Sequence, residues 1–224
     1  MKSVKTRAIV LRRTNYSEAD RIFQLITPIG KISAIAKASR REKSRLAGGI
    51  ELFSICEVVV VDGKSDIKTI TSSRLIKFYN HIIEDYDKMQ FAYLVIKLVS
   101  RASESTSGSE WYDLLAETLS GLDSKSLTIE IVQTWFYIKY STLVGYGLSL
   151  DLDIDGNKIL SGLKYRYDVG ERGLAVDEYG ELVADHIKLL RLISTKSLNV
   201  LAKIGGTDDI ILDCLKVARE HAAI

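Results

Sequence analysis

The sequence predicts an α+β chain, a small five-stranded β-barrel over residues 1–79 followed by a helical domain over 80–224, and three observations carry that reading. Up to about residue 72, apolar and polar residues alternate with the period of two that a half-buried strand requires. From about residue 80 the apolar spacing changes to three and four, the period of a helix. The charge divides at the same place: residues 1–79 carry 16 Lys and Arg against 7 Asp and Glu, whereas residues 80–224 carry 15 against 22. A +9 segment and a −7 segment thus make up the net charge of +2.

The strands read in order as SVKTRAIVLRR (3–13), ADRIFQLITP (19–28), GKISAIAKA (30–38), GIELFSICEVVVVDG (49–63) and SDIKTITSS (65–73). Turn residues separate them: Asn15 and Ser17, Pro28 and Gly30, a basic loop ending in Gly48 and Gly49, and Asp62–Gly63, the favoured chemistry of a tight hairpin. In the third strand Lys31, Ser33, Ile35 and Lys37 share one face, with Ile32, Ala34 and Ala36 on the other. Five short antiparallel strands rich in β-branched residues fit a closed or nearly closed barrel, whose five-stranded version is the OB-fold.

The first helix places Ile82, Tyr86, Met89, Tyr93 and Ile96 on one stripe. A second begins near Ser107 and Glu110, three apart as in a capping box, and buries Trp111, Leu115, Leu119 and Leu122. A third spans about 126–144 with Ile131, Trp135, Ile138 and Leu143, and ends at Gly145. Two more are expected near 180–204 and 208–221, divided by Gly205–Gly206, with Thr207 or Asp208 capping the latter. The spacing of Trp111, Trp135, Phe136 and Tyr137 assigns them to the core.

Several functions find no support. The longest apolar runs fall far short of the roughly 20 residues needed to cross a bilayer, and the apolar stretch after Met1 stops at Leu11 without a signal-peptide core, so a cytoplasmic protein is expected. Cys56 and Cys214 are distant, and His81, His186 and His221 are scattered without metal-ligand or triad spacing. No Gly-rich phosphate loop exists, and a non-enzymatic protein is the expectation. Asp151, Asp153 and Asp155 before Gly156 resemble the first half of a calcium loop, but its twelfth position is Gly162, and an acidic turn is the better reading.

The stretch GKISAIAKASRREKSR (30–45) concentrates six cations against Glu42 alone. Such a cluster repels itself until a polyanion neutralises it, which points to a nucleic-acid backbone. Candidate DNA contacts are Arg7 and Arg12 from the first strand, Lys31 and Lys37 from the third, and Arg40, Arg41, Lys43 and Arg45 from the loop. Arg45 has an alternative role, pairing with Glu18 or Glu51 to fix the loop. A barrel recognising structured RNA or an acidic protein is the rival reading.

An ordered set of motifs over residues 9–58 resembles the bacterial recombination mediator RecO family: the opening IVL, YSEADRI at 16–22, TP-x-GK at 27–31 and ASRREKSRLAGGIELF at 38–53. The resemblance implies an OB-fold followed by a helical domain. It implies binding and annealing of single-stranded DNA, and loading of RecA onto strands coated with single-strand-binding protein, together with RecR. It further implies that the helical domain docks the acidic C-terminal tail of single-strand-binding protein, for which Lys97, Arg101 and Lys139 are candidate cations. Many members carry a four-cysteine zinc site after a phrase like LVGYGLSLDLDIDG (143–156); here Leu152 and Asp155 stand at the matching positions, so neither zinc nor another cofactor is expected. A β-hairpin at 164–178, within an irregular insert near 146–180, is expected to persist through packing of Tyr165, Tyr167, Leu174 and Val176.

Overall fold

Alternation in the first part of the chain closes into a ring. The computed structural model describes residues 3–41, 44, 46, 48–63, 66–104 and 108–222. Five strands, β1 (Ser3–Tyr16), β2 (Asp20–Thr27), β3 (Gly30–Ala36), β4 (Ser54–Val61) and β5 (Lys68–Phe78), form a closed barrel in the order β1-β2-β3-β5-β4. This is an OB-type barrel, as the strand pattern predicts, closed by antiparallel pairing of β4 on β1 and by a short parallel contact of β3 with β5. Its interior is filled by Ala8, Val10, Phe23, Leu25, Ala34, Ala36, Cys56, Val58, Val60 and Ile70. The expected tight hairpin at Asp62–Gly63 is replaced by a longer connection, because pairing resumes only at Val61 opposite Thr69. β5 extends to Phe78, beyond its predicted end, and β4 starts only at Ser54.

Compactness divides the chain after Asp123, well beyond the change of period near residue 79. The reason is packing: α2 (Tyr86–Ala102) and α3 (Glu110–Asp123) lie on β1, and α3 also on β2, where the outward Ile9 and Ile26 are buried in register. The first predicted helix is broken. A four-residue α1 (Asn80–Ile83) precedes Asp85, whose carboxylate caps α2 by accepting the N–H groups of Asp87 (3.0 Å) and Lys88 (3.1 Å). The break turns the buried stripe to Phe91, Ala92, Val95, Ile96 and Val99, leaving Tyr86 and Tyr93 exposed, contrary to the sequence stripe. Ser107, proposed to cap α3, lies outside the described residues; Ser109 stands at that end, its carbonyl accepting the Asp113 N–H and its hydroxyl donating to the Asp113 carboxylate.

The second unit contains α4 (Ile129–Leu143), a hairpin of β6 (Tyr165–Asp168) and β7 (Gly173–Val176), α5 (Ala184–Thr195), a short α6 (Leu198–Leu201) and α7 (Ile211–Ala222). α4 packs on α5 and α7 and buries Trp135, Phe136 and Tyr137, whereas Leu143 is exposed. The helix expected over 180–204 is interrupted at Lys196, which is extended; the Lys196 carbonyl accepts the indole N–H of Trp135 at 2.9 Å. The hairpin is held by the fully buried Tyr165 and Leu174, and Val176 faces solvent instead of packing. At Gly180 a Cβ would collide with the Tyr165 carbonyl group, so only glycine fits that approach. Among the described residues no helix is long and apolar enough to cross a membrane.

Candidate nucleic-acid interface

The candidate surface begins with an irregularity in β1. Ala8 and Val10 point into the barrel, but the register shifts between Val10, opposite Leu25, and Arg12, opposite Gln24. Leu11 is therefore an extra residue, a bulge that reverses which residues face out. Without it Arg12 would point inward. With it, Arg12, Thr14 and Tyr16 share the outer face with Gln24, Ile22 and Asp20 of β2, and with Ser33 and Ile35 of β3. Arg12 and Tyr16 are exposed, and Ile22 and Ile35 are half-buried between them.

The basic loop is held against the same end of the barrel. The backbone N–H of Arg40 donates to the Ala19 carbonyl at 2.9 Å and its Nη1 to the Ser17 carbonyl at 3.4 Å. The Asp20 carboxylate accepts the N–H of Ala38 at 2.7 Å, and both Ser17 (φ 49°) and Ala38 (φ 53°) adopt left-handed backbone conformations that the tight docking requires. Lys37, Arg40 and Arg41 are exposed, so the loop presents its cations to solvent beside the β1–β2 turn. Arg21 joins this end, its Nε donating to Asn15 Oδ1 at 3.0 Å. Predicted Arg12, Lys37, Arg40 and Arg41 thus come together, and Lys43 and Arg45 lie outside the described residues. Glu51, one of the two partners expected for Arg45 beside Glu18, pairs with Arg13 at 3.3 Å.

Other predicted contacts lie elsewhere. Arg7 is exposed on β1 opposite Glu57, about 30 Å along the strand from Tyr16 at roughly 3.3 Å per residue. There its charge opposes the burial that raises the Tyr112 phenol above its ordinary range. Lys31 is turned to the end of α2: its Nζ donates to the Ser100 carbonyl at 2.8 Å and lies 3.6 Å from Glu104, with the side chain only 15% exposed. Its ammonium closes a helix end inside the first unit and is not presented with the loop. Lys97 and Arg101 are exposed one turn apart on α2 in the first unit. Lys139 belongs to the second, where Nζ donates to the Ser194 carbonyl at 2.7 Å and sits 5.9 Å from the Trp135 ring centroid. The second unit has a groove of about 650 Å³ whose lining combines Leu148, Leu150 and Leu192 with Asp151, Lys188 and Arg191.

Of the two residues that the resemblance sets against zinc ligands, Leu152 offers no donor atom and Asp155 offers a carboxylate, and no group of three or more ligating side chains converges among the described residues. The calcium-like phrase is a self-contained turn. Asp153 Oδ1 accepts the N–H groups of Asp155 (3.0 Å) and Asn157 (2.8 Å), and Gly156 supplies the positive φ.

Sequence reasoning passed over Tyr16 as a member of this surface. The pattern Arg12-x-Thr14-x-Tyr16 holds the signal, since alternate residues of a strand share a face.

Comparison with known proteins agrees with this architecture. Residues 1–79 match the model for the recombination protein O N terminal region, and residues 83–222 match that for the recombination protein O C terminal region. A DNA repair protein RecO from one strain of Dehalococcoides mccartyi is 37% identical over 144 residues, 63% of this chain and 56% of that relative. Another, from strain CBDB1, is 36% identical over 215 residues, 92% of this chain and 84% of the relative. The DNA repair protein RecO of Alkaliphilus metalliredigens is 27% identical over 200 residues, 88% of this chain and 80% of its own length.

Proposed function

The chain belongs to the recombination protein O family of DNA repair and recombination proteins, and from that premise we propose that its barrel binds single-stranded DNA without sequence preference. The observation that supports this most is the gathering of Arg12, Lys37, Arg40 and Arg41 on one side of an OB-type barrel. Cations so placed neutralise phosphates and release their counterions, a term indifferent to base sequence and strongly weakened by salt. Two strands held in this way remain able to pair with each other, so annealing needs no bond-making step, and the protein acts as a cytoplasmic mediator without catalysis. In this reading it acts with RecR on strands coated with single-strand-binding protein and passes them to RecA.

The tail of single-strand-binding protein requires an apolar notch beside a cation. The groove of Leu148, Leu150 and Leu192 meets that requirement with Lys188 and Arg191, which donate to the Asp185 carboxylate (2.9 Å) and the Leu150 carbonyl (2.6 Å) as Lys139 does to Ser194; what favours it over Lys97, Arg101 and Lys139 is the apolar wall beside its cations. We assign the tail to this groove.

Charge reversal of Arg40, Arg41 and Lys43 together tests the DNA reading. Single-strand affinity at low salt should fall by orders of magnitude, and the salt dependence of log K should flatten by about 0.7 per lost phosphate contact. Affinity and salt slope equal to the parent's would remove the loop from the interface. Parallel titrations with duplex DNA and RNA should show weaker binding than to single-stranded DNA, and a preference for RNA would favour the rival reading.

A further inference from the structure

We infer that Tyr16 is a base-stacking platform at the basic end of the barrel, and that it gives the surface its preference for unpaired strands. The inference rests on the proposed DNA-binding reading and adds to it the group that recognises bases. Tyr16 is 54% exposed at the end of β1, next to the turn whose Ser17 carbonyl receives Arg40. Among the described residues its hydroxyl has no hydrogen-bond partner, so the ring is not held there for a bond. Its face of the sheet is graded: Arg12, Gln24 and Ser33 form a polar row, and the next row joins the exposed Thr14 to the half-buried Ile22 and Ile35. Tyr16 and Asp20 form the last row, with exposed Lys37 one residue beyond β3. An exposed ring one row beyond Ile22 and Ile35, bordered by cations, offers a base a face to stack on while its phosphates meet Arg12, Lys37 and Arg40. Other aromatics of the barrel are placed differently: Phe23 and Phe53 are buried, and Phe78 lies at the far end of β5 opposite Ser54.

Stacking needs an accessible base face, which a duplex hides and a single strand exposes, whereas phosphate contacts are available in both. The test compares the parent, Tyr16→Ala and Tyr16→Phe on a thymidine oligonucleotide, an abasic oligonucleotide of the same length and a duplex, each over a salt series. The alanine variant should bind the thymidine strand about five- to one-hundred-fold more weakly. Its affinity for the abasic strand and for the duplex should stay at the parent's value, its salt slope should be unchanged, and Tyr16→Phe should behave as the parent. Equal weakening on all three nucleic acids would mean that Tyr16 merely shapes the turn, and an unchanged affinity for the thymidine strand would also overturn the inference. If that null result comes with loss of binding in the Arg40, Arg41 and Lys43 reversal, only the stacking role fails. Should the reversal also bind normally, the DNA-binding surface itself has been misplaced.

Discussion

Replacing Lys31 with methionine separates two roles that one lysine could have on this barrel. Methionine keeps an apolar stem of similar length but removes the ammonium that donates to the Ser100 carbonyl at 2.8 Å and to the Ser100 hydroxyl at 3.3 Å. A charged donor to a partly buried carbonyl contributes about 1.5–3 kcal/mol net. The favourable position of a cation at a helix C-terminus is largely the same interaction and is not added to it. Glu104, 3.6 Å away and 71% exposed, contributes little through so solvated a pair. The expected loss is therefore about 1.5–3 kcal/mol, or a fall of roughly 3–12 °C in thermal midpoint for a chain of this size. Thermal melting followed by circular dichroism measures the loss, and oligonucleotide titrations across a salt series should return the parent's slope. An unchanged midpoint, with a salt slope smaller by about 0.7, would show that Lys31 contacts phosphate and that its bond to α2 is incidental.

Two further outcomes follow from buried groups. Burial pushes the thiols of Cys56 and Cys214 up to about 12, so at pH 8 only about one part in ten thousand is thiolate. A thiol reagent should label neither cysteine until the protein unfolds, and rapid labelling of the native chain would contradict the packing around them. His221 is held below its ordinary value of 6.5, first by burial and then by the Arg172 charge, although the bond of its Nε2 to the Tyr146 carbonyl opposes the shift. The unfolded chain then takes up a proton that the folded chain refuses, so this contribution to stability is complete above about pH 6.5 and is lost as pH falls through the folded value. The thermal midpoint should decline between pH 7 and 5, and His221→Gln, though less stable at neutral pH, should decline less; equal slopes would exclude His221 as the cause.

By itself the sequence determined the barrel, most of the helices and the position of the basic loop, because period and turn chemistry are local properties written within a few residues of one another. It also carried the family motifs at 16–22, 27–31 and 38–53. The tertiary structure decided which cations face outward together. The bulge at Leu11 reverses the faces of β1 and turns Arg12 to the surface; the run Ile9-Val10-Leu11 is apolar throughout, so the alternation does not show where its phase changes. The break between α5 and α6 joins the Lys196 carbonyl to Trp135, 61 residues away. Lys31 reaches Ser100 across 69 residues, and Glu51 meets Arg13 across 38. A long cationic side chain takes whichever acceptor the folded chain brings within its reach, and that acceptor is set by packing between distant elements, not by the residues beside it in sequence.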